Sequence, residues 1–140
     1  MKKLFGLLVL FALVQAGPAR AVDFSNADLE GRWSLHAFGA YEVQGSFYYG
    51  QITLDPEGRV VGSGDCALGW SPAVFDGGGL AVLNPQGEVG GRLSGLSHHW
   101  GGFWIAVNKG WLNLTKTQIT FIGQDYRNFQ LLVTMVRVED

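Results

Sequence analysis

Two stretches of this chain repeat one pattern, and that pattern limits the fold more than anything else in the sequence. Gly50 to Gly62 and Gly79 to Gly91 each run as an apolar segment, an Asx-Pro-x-Gly tetrapeptide and a second apolar segment. The tetrapeptides are Asp55-Pro56-Glu57-Gly58 and Asn84-Pro85-Gln86-Gly87. In each, the Asx side chain can bond back to the turn, Pro presets φ at the second position, and Gly accepts φ > 0. This is the chemistry of a type I turn followed by a G1 bulge, which joins two antiparallel strands. Each copy therefore predicts a β-hairpin.

The rest of the chain extends the same reading. Arg32 to Phe38 alternates with period two, Trp33, Leu35 and Ala37 on one side and Ser34 and His36 on the other, as in a half-buried strand. Ser46 to Leu54 and Arg59 to Gly64 flank the first repeated turn; Gly79 to Leu83 and Glu88 to Ser94 flank the second. Phe103 to Asn108, Gln118 to Gly123 and Phe129 to Val138 complete the strands. Loops are expected at 39–45, 65–78, 95–102 and 124–128, with a connection having room for a short strand at 109–117. Asp23 to Glu30 reads as a short helical turn before the first strand. These connections are too short for helical crossovers, so neighbouring strands must be antiparallel. The expected fold is all-β: a single domain forming an antiparallel up-and-down β-barrel of about eight strands, curled by glycines within its strands.

Charge and cysteine content narrow the function classes. Lys2 and Lys3, the apolar run Leu4 to Val14, and Ala19-Arg20-Ala21 have the form of a signal peptide over residues 1–21, with Val22 as the mature start. Residues 22–140 are then the barrel domain, periplasmic or secreted. Cleavage removes three of the ten basic residues and no acidic one, leaving seven against twelve, a net of −5. That argues against a nucleic-acid partner. The mature chain is not expected to span a membrane, since a transmembrane barrel needs a tall outer apolar band around a polar interior. Cys66 is the only cysteine, which excludes an internal disulfide framework; it reads as a small buried hydrophobe or as an intermolecular or redox thiol.

If the first strand runs upward, the connections at 39–45, 65–78, 95–102 and 124–128 fall together at the top. They carry Tyr41, Trp70, His98, His99, Trp100, Asp125 and Tyr126. The two Pro-Gly turns fall at the bottom. Tyr41, Trp70, His98, His99, Trp100 and Tyr126 are the candidate ligand-binding residues, since apolar and aromatic side chains on loops at a barrel mouth fit a small apolar or aromatic ligand. The other reading is an envelope interaction or structural module with a filled barrel, docking a protein at the same face. Wide rings from Tyr48, Phe103, Phe121 and Phe129 would fill the interior, whereas the glycines at 50, 62 and 91 would open it. The adjacent histidines lack defined further ligands, so no metal site and no cofactor are expected. His-Glu-x-x-His, Cys-x-x-Cys and phosphate-loop motifs are missing, and no enzymatic activity is expected.

Asp23-Phe24 followed by Leu29-Glu30-Gly31-Arg32-Trp33 resembles the opening of the lipocalins, whose first strand begins with Gly-x-Trp after a short helical turn. The resemblance implies structural roles for Gly31, Trp33 and Arg137, the last standing where that family has an arginine packed over the tryptophan at the closed end. Asp125-Tyr126, preceded by Gln124, looks like the family's Thr-Asp-Tyr motif. The tight hairpins and the length are closer to the avidins. Together these imply a calycin-like barrel.

Overall fold

The computed structural model of the chain describes residues 22–41 and 44–139, leaving aside the side chains of 40–46. The proposed signal segment lies outside these residues. A 3-10 turn at Asn26–Leu29 precedes nine strands: β1 (Gly31–Tyr41), β2 (Gln44–Leu54), β3 (Val60–Ser63), β4 (Cys66–Leu68), β5 (Ser71–Val82), β6 (Glu88–Ser97), β7 (Gly101–Leu112), β8 (Gln118–Asp125) and β9 (Gln130–Arg137). All pairings are antiparallel between neighbours, and β1 pairs with both β2 and β9, so the sheet closes. β3 and β4 both pair with β2 and occupy one place in the wall, interrupted at Gly64-Asp65. Eight positions therefore close the barrel.

Several strands run farther than their local sequence implies. The 65–78 stretch is not a loop: β4 and most of β5 lie in it, joined by a two-residue turn at Gly69-Trp70. Pro72 stands second in β5, where a missing N–H costs little, and its carbonyl accepts the His98 N–H at 2.9 Å. The Gly77-Gly78-Gly79 run is absorbed by a bulge between Phe75 and Gly77, with Gly78 at φ 74°. Likewise β6 extends to Ser97 and β7 from Gly101 to Leu112, so the expected loops at 95–102 and 109–117 shrink to 98–100 and 113–117. The top connections are thus as short as the bottom ones.

Inward positions are mostly apolar. Trp33, Leu35, Ile52, Leu93, Ile105, Ile119, Phe121, Val133 and Met135 are buried in one core. Tyr48 and Phe103 are buried with them, while Phe129 is only half-buried. The space beside two of the wall glycines is taken: Cys66 Sγ sits where a Gly50 side chain would be, and the Phe103 ring where a Gly95 side chain would be. Gly50 therefore opens no cavity. This apolar filling is the reverse of a transmembrane barrel, whose lumen is polar. Among the described residues no helix is long and apolar enough to cross a membrane.

The bottom is closed by the N-terminal turn. The Phe24 N–H donates to Pro85 O at 3.2 Å, the Val82 N–H to Asn26 Oδ1 at 2.8 Å, and Trp33 Nε1 to Leu29 O at 2.7 Å. The Arg137 guanidinium lies 4.5 Å over the Trp33 ring and donates to the carbonyls of Asp28, Glu30 and Lys116. A partly desolvated cation over an indole stabilises by about 1–2 kcal/mol. Gly31 is at φ 126°, and a Cβ there would lie 2.7 Å from Arg137 Nη1, so the Gly-x-Trp pattern has a steric cause.

Candidate binding rim

The top turns divide into two groups with different construction. The first joins the β4–β5 and β6–β7 turns. Gly69, at φ 60°, reverses the chain so tightly that Trp70 has no inward direction and is 71% exposed. Behind it the alternation of β5 and β6 turns Ser71 and Ser97 inward, both buried. Their hydroxyls are 2.8 Å apart. Ser71 Oγ also lies 3.0 Å from His99 Nδ1 and accepts the His99 N–H at 3.2 Å, while Ser97 Oγ accepts the Trp100 N–H at 3.3 Å. Two buried hydroxyls thus hold the 98–100 turn, and with it the orientation of the rings above.

Those rings form one exposed cluster. Trp70 and His99 have centroids 4.6 Å apart, Trp70 and Trp100 6.2 Å in an edge-to-face arrangement, and His98 and His99 5.3 Å. Trp100 is 55% exposed. Just below His98 the outer wall continues as a shallow groove lined by Pro72, Val74 and Leu96, the last two paired across β5 and β6. Tethered aromatic faces running into an apolar groove can take a planar apolar group by stacking and burial. The Ser71–His99 contact resembles a nucleophile and base, but Ser71 is buried and its oxygen accepts the backbone of its own partner residue. Its role is to lock the turn.

The second group lies at the β8–β9 turn, on the other side of β7. Asp125 is fully buried. Its Oδ1 accepts the N–H groups of Arg127 and Phe129 at 2.9 and 3.0 Å. Its Oδ2 accepts the Tyr48 hydroxyl at 2.5 Å and Arg127 Nη2 at 2.9 Å. Burial pushes the Tyr48 phenol far above its ordinary pKa, and the Asp125 carboxylate pushes the same way, so Tyr48 is a firm donor. Arg127 also lies over the rings of Tyr126 and Phe129, at 5.3 and 4.5 Å. This is an internal brace with every partner supplied by the chain.

Of the six sequence-expected binding residues, Trp70, His98, His99 and Trp100 come together. Tyr126 does not join them; it packs half-buried against the core under Arg127. The Tyr41 side chain lies outside the described residues. Ser71, Ser97, Val74 and Leu96 were not singled out by sequence, although their alternation was visible once β5 and β6 are continued through Pro72 and Gly95. Trp104 and Trp111 face outward, Arg92 lying 5.6 Å over the first and Lys109 5.2 Å over the second. Among the described residues no three His, Cys, Asp or Glu side chains gather as metal ligands.

No family model matches this chain, and no curated protein does. Solved structures similar to it include designed barrels. A redesigned beta barrel, b11L5F_LGL, superimposes with a TM-score of 0.53 at 16% identity, over 82% of this chain and 96% of that one. The redesigned barrel mFAP1, bound to DFHBI, gives 0.49 at 15% identity over 81% and 98%. A de novo designed fluorescence-activating beta barrel gives 0.49 at 13% over 82% and 99%. At these identities the likeness concerns the fold: a closed antiparallel barrel.

Proposed function

We propose that this protein is a non-enzymatic, calycin-like binding barrel of the periplasm or the secreted space, taking a small apolar or aromatic group on its rim and not in its interior. The observation that carries the reading is the Trp70–His99–Trp100 cluster, largely exposed yet fixed from below by the buried Ser71–Ser97 pair. Exposing two indoles on a tethered turn sacrifices burial that the fold could otherwise use. A filled core supports surface capture over storage, and it equally suits an envelope protein that presents an apolar side chain as the ligand.

The test is titration with N-phenyl-1-naphthylamine, a neutral planar probe whose emission rises on desolvation. The double variant W70A/W100A should weaken binding at least tenfold, about 1.4 kcal/mol, without changing the thermal midpoint, because neither ring belongs to the core. Unchanged affinity in a folded variant would overturn the assignment to the rim.

A further inference from the structure

Away from the rim, the side of the barrel built from β2, β1, β9 and β8 carries a row of exposed apolar side chains in direct register. Phe47 pairs with Phe38, Phe38 with Leu132, and Leu132 with Ile122. They are 50%, 66%, 57% and 53% exposed. Tyr49 extends the row beside Phe47 and, with His36 and Thr134, lines a shallow groove there. Direct cross-strand neighbours on one face form a continuous surface. Soluble monomers rarely leave so large a contiguous apolar patch uncovered.

Charge indicates what covers it. Among the described residues, the outward positions of these four strands hold Ser, His, Gln and Thr around the row, no carboxylate, and one cation, Arg32, at the foot. The opposite side carries Asp76, Glu88, Arg92 and Lys109. A partner recognised by charge would leave complementary charges here. A second copy of an acidic chain needs the reverse, since like charges facing one another across the contact would oppose pairing. The size also fits. Four strands at about 4.8 Å spacing and eight residues at about 3.3 Å rise span roughly 19 by 26 Å measured along the curved wall. With side-chain relief that is of the order of the ~800 Å² per partner that a stable pair buries.

We infer that the β2-β1-β9-β8 face is the contact surface of a symmetric homodimer, with the Phe47–Phe38–Leu132–Ile122 row at its centre. A two-fold contact sets the same surface on both copies, so the rims of the two barrels stay free. The inference does not depend on what the rim binds.

Sedimentation equilibrium on the protein as its host processes it should show a dimer at micromolar concentration. F38Q/L132Q, which touches no buried side chain, should raise the dissociation constant at least a hundredfold with an unchanged far-ultraviolet spectrum. T134K and T134E should each weaken self-association, and mixing the two should restore a pair. A wild-type monomer up to millimolar concentration, or variants as dimeric as the wild type, would overturn the inference. So would a monomer in buffer whose F38Q/L132Q-sensitive binding appears only with phosphatidylethanolamine–phosphatidylglycerol vesicles, which would make the face a lipid-contacting one.

Discussion

The turns at Asp55 and Asp125 are made from the same bonds and differ in what lies behind them. In each, Oδ1 of the aspartate accepts two backbone N–H groups, those of Glu57 and Arg59 in one and of Arg127 and Phe129 in the other. In each the backbone also closes through an i+3 bond, from Gly58 to Asp55 and from Asn128 to Asp125. Asn84 and Asn113 repeat the device with a neutral side chain. The difference is in Oδ2. At Asp55 it meets Arg59 in solvent at 2.7 Å; at Asp125 it meets the buried Tyr48 hydroxyl. One local motif therefore serves as a hairpin closure at the foot and as a brace through the barrel interior at the top.

Removing the brace should have the largest effect. Asp125→Ala leaves two turn N–H groups, the Tyr48 hydroxyl and the Arg127 guanidinium without their shared acceptor, and breaking a buried charged contact costs about 3–5 kcal/mol. Urea unfolding should show this as a lower midpoint. A loss under about 1 kcal/mol, the scale of an ordinary hydrogen bond, would mean that water replaces the carboxylate and that the two turns are equivalent after all.

Tyr48→Phe comes next and isolates the one contact that the two turns do not share. The carboxylate keeps Arg127 and its backbone partners, so the loss is that of a single hydrogen bond to a charged acceptor, about 1.5–3 kcal/mol. Added to Asp125→Ala, it should cost almost nothing further, since the hydroxyl has then already lost its acceptor. Additive losses in that double-mutant cycle would mean that the hydroxyl acts independently of the carboxylate, through its 3.5 Å contact with Arg127 Nη2.

The asymmetry between the turns also explains what sequence could and could not reveal. The turns at 55–58 and 84–87 were legible because Asx-Pro-x-Gly contains all their partners within five residues. The brace was not, because Tyr48 and Asp125 stand 77 residues apart and meet only when β1 joins β2 to β9. Closure also overrode the local signals of Pro72 and Gly77-Gly78, which read as loop but become a strand start and a bulge under pairing with β4 and β6. At the rim, Trp70, His98, His99 and Trp100 announced themselves as aromatic and polar residues among glycines. The serines beneath them required the true lengths of β5 and β6. Tyr126 was grouped with that cluster by its place at the top, a coordinate that fixes height but not position around the wall.

The smallest effect should come from Asp55, and its dependence on pH sharpens the contrast. Slight desolvation pushes the Asp55 carboxyl up, but the Arg59 N–H and guanidinium and the Glu57 N–H outweigh it and hold the pKa below the usual carboxylate value. A carboxyl depressed in the folded state binds its proton more readily when unfolded, so unfolding takes up protons in acid. Its contribution is therefore complete above the unfolded-chain pKa of about 3.9 and is lost as pH falls through the lower folded value. Asp55→Ala should lower the thermal midpoint only slightly at pH 7. That gap from the wild type should narrow further below about pH 4, where the wild-type carboxyl is itself becoming protonated. A gap that stays constant down to about pH 2, well below the ordinary carboxylate range, would mean that Asp55 acts through its turn geometry alone, with no contribution from its charge.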